Sequence, residues 1–231
     1  MNEKFSGNTG MNPQDDLKAW RKAQRAALLA RRQAVPAAQH REWTAVMTRR
    51  LVGGFPLLGG MTVSLYWPFQ GEFDARFAIR EFRQRGAIAA LPEVVQKAAP
   101  LRFREWWPGV ATTPGVYDLP VPDTRVVVPQ ALLIPPVGFD TRGYRLGYGG
   151  GYFDRTLAAI KPEPLKIGVA FELSRIDTIY PQTHDIPMDF VVTEACIYRV
   201  GTDGLERIDE EHAAVLAEAL VRNRGAAESG I

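Results

Sequence analysis

The sequence predicts an α/β protein of three layers, α/β/α, built on a mostly parallel sheet. Short apolar segments rich in β-forming residues alternate with longer segments that carry an apolar stripe at helical spacing. Of the 231 residues, 46% are hydrophobic and 23% are charged, a composition typical of a globular protein with a sizeable core. We therefore expect a single domain over 14–208, with a flexible tail at 1–13 and a C-terminal helix and tail at 209–231.

The first half of the chain is predicted to contain three helices and three strands. Pro36 separates the first two helices, because proline ends one helix and suits the first turn of the next. Asp74 is a suitable N-cap for the third helix, and Gly86 is a suitable C-cap. The predicted helices are 14–34, 37–52 and 74–85, and the predicted strands are 61–67, 87–91 and 101–107.

The second half begins with a proline-rich region at 108–124, which predicts an ordered loop. After it, short apolar runs again alternate with helical patterns, and no internal repeat is visible. The predicted strands are 132–134, 166–171 and 190–192, and the predicted helices are 152–160 and 209–224.

Composition also limits the possible functions. The net charge is +2, which gives no whole-molecule argument for nucleic-acid binding. A single cysteine, Cys196, excludes an internal disulfide and fits a reducing cytoplasm. No apolar run reaches the roughly 18 residues of a spanning helix, and 1–13 lack the apolar segment of a secretory signal. We expect a cytoplasmic protein that binds neither membranes nor nucleic acid.

The most informative segment is a glycine-rich stretch, because five of the nine residues from Gly143 to Gly151 are glycine. Glycines allow the backbone amides to converge on an anion, and a helix beginning near Tyr152 adds its own unpaired N–H groups. The stretch therefore predicts a phosphate site, with Arg145 as a charged clamp and Asp154 as a candidate metal ligand. A glycine-rich surface turn is the alternative, although the many aromatic residues around it argue against a solvated linker.

Two common phosphate-binding motifs do not match this stretch. A P-loop requires Lys-Ser or Lys-Thr after its last glycine, whereas Tyr152 and Phe153 follow Gly151. A dinucleotide fingerprint that starts at Gly147 requires glycine at position 152. In parallel sheets, ligands bind beyond the carboxyl ends of the strands. This rule predicts a shared cleft formed by the glycine stretch, by 67–72 and by the segment near Asp185.

The run from Arg145 to Asp154, R-L-G-x-G-x-G-Y-F-D, resembles the signature of the 5-formyltetrahydrofolate cyclo-ligase family, also called methenyltetrahydrofolate synthetases. The resemblance extends in order from about Arg21 to Tyr198. It implies a fold related to phosphosugar isomerases and coenzyme A transferases. Further matching segments are 63–74, 135–140, 167–172 and 181–194.

The resemblance also implies a reaction. The family closes 5-formyltetrahydrofolate to 5,10-methenyltetrahydrofolate while ATP becomes ADP and phosphate. A formamide oxygen is a poor leaving group, so the γ-phosphoryl is transferred to it, N10 attacks, and phosphate departs. Phosphoryl transfer needs positioning and charge neutralisation more than a protein nucleophile. The implied partners are thus small molecules, including a possibly polyglutamylated folate, and the expected state is a monomer or weak homodimer.

Carried over position by position, the resemblance implies a set of site residues. Arg145 and Tyr152 would be catalytic, and Asp154 and Asp185 would bind Mg²⁺. The implied ATP-binding residues are Arg21, Arg25, Arg145, Leu146, Gly147, Tyr148, Gly149, Gly150, Gly151, Tyr152 and Phe153. The implied folate-binding residues are Trp67, Glu72, Tyr148, Gly149, Gly150, Gly151 and Tyr152.

Most of these assignments have a purely structural alternative. Asp154 suits a helix N-terminus through the helix dipole, and Asp185 suits a turn hydrogen bond. Glu72 is compatible with an exposed loop carboxylate, and Trp67 with a core position. The arginines of the first helix are compatible with a solvated basic face.

The chain departs from the family pattern at three places. Ser174 stands where many relatives have Gln, Tyr148 and Gly150 where some have Arg and Lys, and Leu119-Pro120 where Glu-Pro is usual. A relative that binds folate or nucleotide without chemistry is therefore the second hypothesis. A nucleic-acid-binding module that uses the basic first helix is the third, and the near-neutral total charge disfavours it.

Overall fold

The computed structural model describes residues 13–228. The predicted tail at 1–13 lies outside the described residues apart from Pro13, which begins the first helix. The helices are α1 (Pro13–Gln33), α2 (Ala37–Gly54), α3 (Arg76–Gln84), α4 (Tyr152–Ala159) and α5 (Glu210–Glu228). The strands are β1 (Thr62–Ser64), β2 (Ile88–Glu93), β3 (Arg102–Glu105), β4 (Thr112–Pro114), β5 (Pro120–Pro122), β6 (Val126–Val127), β7 (Ala131–Ile134), β8 (Gly138–Asp140), β9 (Arg145–Leu146), β10 (Leu165–Val169), β11 (Arg175–Ile176), β12 (Phe190–Val192), β13 (Ile197–Gly201) and β14 (Gly204–Ile208).

A nine-stranded sheet forms the centre of the molecule, in the order β14-β13-β12-β10-β7-β1-β2-β3-β6. The five central strands, from β12 to β2, run parallel, and two antiparallel strands extend the sheet on each side. Every residue of β7 and β10 is buried, rather than every second one, as expected for parallel strands covered on both faces. The predicted α/β architecture with a mostly parallel sheet is confirmed.

One face of the sheet is covered by α2, α3 and α5. The rings of Phe55, which follows α2, and Phe190 of β12 meet edge to face with their centroids 5.2 Å apart. Ala213 and Ala217 place α5 on the same core. The C-terminal helix therefore packs as part of the main core rather than as an appendage.

The other face carries α4 and a three-stranded sheet in the order β11-β8-β9. Leu157 of α4 packs on Leu132 and Ile134, while Phe139 of β8 packs in a cluster with Val191. The third layer of the predicted α/β/α arrangement therefore contains short strands after β7 beside helix α4. Helix α1 packs on the small sheet through Leu28.

Several predicted boundaries differ from those observed. The strand predicted at 61–67 ends at Ser64, and Pro68, which has no N–H to donate, follows in the departing chain. Helix α3 begins at Arg76 rather than at Asp74, although the Asp74 carboxylate still accepts a hydrogen bond from the Arg76 amide at 3.1 Å. The region predicted as loop at 108–124 contains the β4–β5 hairpin.

The β13–β14 hairpin and the small sheet were not predicted. The hairpin strands carry exposed charged side chains such as Arg199 and Glu206, which weaken the apolar signal. Strands β9 and β11 have only two residues each, which is too short for a periodic pattern. Their pairing depends on long-range contacts that a local pattern does not contain.

The carboxyl ends of β1, β2 and β7 lie side by side and lead into three segments on one edge of the sheet. These segments are 65–72 after β1, 94–98 after β2, and the chain from 135 to 151 after β7. Within 13–228, every helix is too short or too polar to cross a lipid bilayer. This edge is where a ligand is expected in a parallel sheet.

We predict that Phe190→Ala lowers the free energy of unfolding by about 3–5 kcal/mol, because it leaves a cavity at a fully buried position. Phe77→Ala is the matched control, since Phe77 is 57% exposed on α3 and its loss should cost less than about 0.5 kcal/mol. Urea unfolding of both variants measures the difference. Equal losses would contradict the assignment of Phe190 to the centre of the core.

Candidate active site

The glycine loop, residues 147–151, connects β9 to α4 and leaves its backbone amides unpaired. Across residues 13–228, no acceptor is hydrogen-bonded to any amide from 148 to 154. The first bond of the helix runs from the Arg155 amide to the Gly151 carbonyl at 3.3 Å, and no side chain caps the N-terminus of α4. A continuous row of N–H donors, together with the positive end of the helix dipole, is suited to binding an anion.

Gly149 and Gly151 have positive φ values in this loop, and Gly150 lies against an aromatic ring. Gly151 has φ +61° at the residue before α4, in the left-handed region that glycine adopts without strain. A Cβ atom at Gly150 would lie 2.6 Å from the ring of Tyr152. The Tyr152 ring thus occupies the space of a side chain at 150, which explains why no lysine is accommodated there.

Three arginines of α1 share one face and point into the protein. Arg21, Arg25 and Arg32 are separated by four and seven residues, which aligns them on a helix together with the buried Leu28. The hypothesis of a solvated basic face is therefore wrong for these three residues. Each of them donates to backbone carbonyl oxygens. Arg21 binds those of Ile179 and Tyr180, and Arg25 binds that of Gly147. Arg32 binds those of Gln70 and Pro136.

Arg25 is the arginine of α1 that binds the backbone of the glycine loop. Its Nε donates to the Gly147 carbonyl at 2.7 Å, and its guanidinium lies beside Gly149. Burial, together with the nearby charge of Arg21, lowers the pKa of Arg25. Each of these effects disfavours the cation, so an anion in front of the loop would be electrostatically favourable.

Glu72 and Tyr148 join the loop after β1 to the glycine loop. The Tyr148 hydroxyl donates to Glu72 Oε1 at 2.6 Å and accepts from Arg32 Nη2 at 2.6 Å. The Phe69 amide donates to Glu72 Oε2 at 2.9 Å. The side chain of Glu72 is only 4% exposed, so the alternative of a solvated loop carboxylate is wrong.

Burial raises the pKa of Glu72 to about 7, although Tyr148, Arg32 and the Phe69 amide all favour the ionised form. Burial, followed by the charge of Glu72, also raises the pKa of Tyr148. Glu72 thus titrates near neutral pH at the edge of the candidate site. Such a carboxyl group accepts hydrogen bonds from a ligand when it is ionised and donates one to a ligand when it is protonated.

Arg145 is buried behind the glycine loop, with 4% of its side chain exposed. Its Nη2 donates to Asp154 Oδ1 at 2.5 Å, and its Nη1 donates to the Ile186 carbonyl at 2.5 Å. The Ile186 amide donates to the same Asp154 oxygen at 3.2 Å. Burial lowers the pKa of Arg145, while Asp154 and Asp185 oppose this effect. In this arrangement, Arg145 positions Asp154.

The two predicted metal ligands are both paired with arginine. Asp154 uses Oδ1 for its hydrogen bonds, and Asp185 uses Oδ2, which accepts from Arg21 at 2.7 Å and from the Gln182 amide at 2.7 Å. The described part of the chain contains no group of three or more His, Cys, Asp or Glu side chains able to hold a metal. In nucleotide sites, a protein normally supplies one or two carboxylates to Mg²⁺, and substrate phosphates and water complete its coordination shell. The donor set therefore fits a magnesium–nucleotide complex.

A cleft of about 470 Å³ opens beside the glycine loop. Its volume lies within the roughly 300–1,000 Å³ of small-molecule sites. One wall is the loop after β2, and the other walls are Val116 and the glycine loop with Tyr152. A ligand in this cleft would contact the glycine loop directly. The lining residues are Val94, Val95, Gln96, Lys97, Ala98, Val116, Gly149, Gly150 and Tyr152.

Comparison with known proteins identifies the family. A sequence model described as the 5-formyltetrahydrofolate cyclo-ligase family matches residues 17–194. The chain belongs to this family. The resemblance inferred from the glycine loop is confirmed, and with it the assignment as a cyclo-ligase enzyme.

Individual relatives agree with the family. The 5-formyltetrahydrofolate cyclo-ligase of Mycolicibacterium smegmatis is 32% identical over 178 residues, covering 73% of this chain and 91% of the relative. That of Escherichia coli K12 is 29% identical over 178 residues, covering 73% of this chain and 97% of the relative.

Solved structures show the same fold. The 5,10-methenyltetrahydrofolate synthetase of Aquifex aeolicus superposes with a TM-score of 0.68 at 26% identity, covering 83% of this chain and 98% of that structure. The enzyme of Mycoplasma pneumoniae superposes with a TM-score of 0.63 at 23% identity, covering 74% of this chain and 97% of that structure.

Some residues predicted from the family signature have packing contacts in this structure. Leu146 is buried against α1, and Phe153 packs on the cluster that contains Leu132. Trp67 is half-buried, with its ring 6.5 Å from that of Trp106 and below the guanidinium of Arg76 at 4.7 Å. Side-chain contacts of Leu146 and Phe153 with a nucleotide would require rearrangement, whereas backbone contacts would not.

Sequence reasoning missed three features of the site. Arg32 was recognised only as a basic residue, although its spacing from Arg25 and Leu28 identifies it as part of the inward face. Arg155 folds back to the Gly150 carbonyl and over the Tyr152 ring, which supplies a cation beside the loop. The 94–98 wall of the cleft follows β2, and the rule that ligands bind beyond strand carboxyl ends was a signal for it.

We predict that Glu72→Gln changes the dependence of stability on pH. The pKa of Glu72 is raised on folding, so ionisation of this buried carboxyl destabilises the wild type increasingly as the pH rises from about 4.5 to about 7. The stability of the variant relative to wild type should therefore increase over this interval, by on the order of 3 kcal/mol, and stay level above it.

Denaturant unfolding at a series of pH values measures this difference. Glu218→Gln removes the same charge from the exposed face of α5 and controls for the change in net charge. A difference curve for Glu72→Gln that is flat from pH 4.5 to 7 would contradict the proposed burial of an ionisable group at this position.

Proposed function

We propose that this protein catalyses the ATP-dependent cyclisation of 5-formyltetrahydrofolate to 5,10-methenyltetrahydrofolate, with release of ADP and phosphate. Family membership supports the substrate class and the reaction. The observation that carries the proposal is the row of unpaired amides from 148 to 154, which adjoins a ligand-sized cleft. A phosphate site and a cleft in contact with each other suit transfer between a nucleotide and a second substrate.

The reaction requires little covalent chemistry from the protein. The formyl oxygen of the folate attacks the γ-phosphorus of ATP, and the bond to the ADP oxygen breaks. N10 then attacks the activated formyl carbon, loses its proton, and phosphate leaves with the former formyl oxygen. Each step is accelerated mainly by holding the reactants in line and by neutralising charge. The absence of a nucleophile motif in this sequence agrees with that requirement.

We assign the phosphate contacts to the glycine loop and its arginines. The amides of 148–154 supply donors that point to no protein acceptor in the described structure, and Arg25 and Arg155 supply positive charge beside the loop. Arg145, predicted as a clamp on the phosphates, acts here as a positioning residue that holds Asp154. Arg21 does the same for Asp185.

Asp154 and Asp185 would hold Mg²⁺ in a magnesium–nucleotide complex, where the ion would supply positive charge against the phosphates. The arginine contacts fix the orientation of both carboxylates before a nucleotide binds. The protein therefore supplies two preset oxygen donors.

We assign the folate contacts to the cleft and to Glu72. The flat rings of a folate match a slot whose walls are valines and the ring of Tyr152. Glu72 lies behind Tyr148 and titrates near neutral pH, so it is suited to the N–H groups of a pterin.

The direct test is an assay of purified protein with Mg·ATP and 5-formyltetrahydrofolate. We expect methenyltetrahydrofolate, measured by absorbance, and ADP, measured by chromatography, in equal amounts. Tight folate binding without ATP consumption would instead support a sequestering protein. That result would overturn the proposed activity.

We predict that Asp154→Asn lowers turnover by about 100-fold and raises the Mg²⁺ concentration needed for half-maximal rate, because one charged oxygen donor is lost. Asp203→Asn is the matched control, since Asp203 is exposed in the β13–β14 turn. Turnover measured across a Mg²⁺ titration separates a metal ligand from a residue that only holds Arg145. A variant with low turnover but an unchanged Mg²⁺ dependence would contradict the metal role.

A further inference from the structure

Tyr148 is the one residue of the glycine loop that has a side chain. The other residues from Gly147 to Gly151 are all glycine, so the loop has much conformational freedom to lose when a ligand binds. Within residues 13–228, no acceptor is bound to the amides of 148–154, so these donors are not fixed by backbone hydrogen bonds. The position of the loop therefore depends on side-chain contacts.

The Tyr148 side chain fixes the loop to two buried charged groups. Its hydroxyl donates to Glu72 Oε1 at 2.6 Å and accepts from Arg32 Nη2 at 2.6 Å. Both partner side chains are 4% exposed, and they belong to different elements, Arg32 to α1 and Glu72 to the segment after β1. Hydrogen bonds to ionised groups are shorter and stronger than bonds between neutral groups. One hydroxyl group thus joins the glycine loop to two other parts of the site.

Two further side chains bind the loop, and both bind its carbonyl groups. Arg25 donates to the Gly147 carbonyl at 2.7 Å, and Arg155 donates to the Gly150 carbonyl. In the bond to Glu72, by contrast, the loop is the donor and the acceptor is a carboxyl group. This bond is therefore the contact of the loop that depends on the charge of its acceptor.

Glu72 changes its charge near neutral pH. Burial raises its pKa to about 7, so the carboxyl group is mostly protonated below this pH and mostly ionised above it. An ionised carboxylate is a stronger acceptor for the Tyr148 hydroxyl than a protonated carboxyl group. The loop is thus held more firmly above about pH 7 than below it. The charged or titratable groups around Glu72 and its segment are Arg32 of α1, His40 of α2, Tyr66 and Asp74 of the chain between β1 and α3, and Tyr148 of the glycine loop.

We propose that Tyr148 is a positioning residue that couples Glu72 to nucleotide binding, because its hydrogen bond to Glu72 holds the glycine loop in the conformation that binds phosphate. A loop that is already fixed loses less conformational entropy when its ligand binds, which increases the affinity. The inference rests on the proposed function, since it takes the unpaired amides of the loop as the phosphate site.

A double-mutant cycle tests this coupling through the Kd for Mg·ADP, measured by calorimetric titration of the purified protein. Tyr148→Phe keeps the ring and removes the hydroxyl, and it should raise the Kd about fivefold. In protein that also carries Glu72→Met, which removes the carboxyl acceptor, the same change should raise the Kd less than about twofold. Tyr144→Phe is the matched control, because it removes a hydroxyl from the turn between β8 and β9 and should leave the Kd unchanged.

A pH series separates this role from a general loss of structure. The Kd of Tyr148→Phe is divided by that of the wild type at each pH, which cancels the titration of the nucleotide itself. This ratio should rise from about twofold near pH 6 to about fivefold near pH 8, because Glu72 becomes ionised over this range. The series needs no variant of Glu72, so it tests the coupling even if Glu72→Met does not fold.

An equal effect of Tyr148→Phe with and without Glu72→Met, or a Kd ratio that is independent of pH, would overturn the coupling while leaving the proposed reaction intact. A wild type that does not bind Mg·ADP would overturn the proposed phosphate site, and this inference with it.

Discussion

The arrangement of the site depends on three arginines of α1. Their side chains donate hydrogen bonds to backbone carbonyl groups in separate segments of the chain. Arg25 binds the glycine loop, Arg32 binds the segments at 70 and 136, and Arg21 binds the segment at 179–180. These segments follow different strands, so the arginines join parts of the chain that are far apart in sequence. A guanidinium group carries several N–H donors spread over a rigid plane, so it reaches separate carbonyl groups better than the compact ammonium group of lysine.

The same contacts set the electrostatics of the site. Carbonyl oxygens satisfy the guanidinium donors without cancelling their charge, so positive potential remains where the loop amides are unpaired. Where carboxylates are present, each is matched by an arginine, as in Arg145–Asp154 and Arg21–Asp185. Glu72 also lies near an arginine, Arg32 at 3.7 Å, but its burial outweighs this charge and raises its pKa to about 7. The site thus combines fixed cations, fixed anions and one group that titrates near neutral pH.

Much of this arrangement follows from local sequence, and the remainder depends on contacts across the chain. The glycine loop, the start of α4 and the inward face of α1 are predictable, because backbone geometry and helical spacing are local properties. The partner of Glu72 is not, since Tyr148 lies 76 residues away and reaches it through loop geometry. The small sheet was missed because two-residue strands such as β9 depend on pairing with β8 and on packing against α1. Tyr148 and Gly150 depart from the family pattern, and the structure gives a physical reason for each. Tyr148 binds Arg32 and Glu72, and the Tyr152 ring occupies the space that a side chain at 150 would need.

The proposed reaction requires the unpaired amides beside Arg25 to hold the nucleotide phosphates. A crystal structure with Mg·ADP and 5-formyltetrahydrofolate would locate both ligands. We expect phosphate oxygens about 2.7–3.1 Å from amides within 148–154, with the Arg25 guanidinium beside them and the folate in the adjoining cleft. A nucleotide bound elsewhere, with those amides still unpaired, would contradict it.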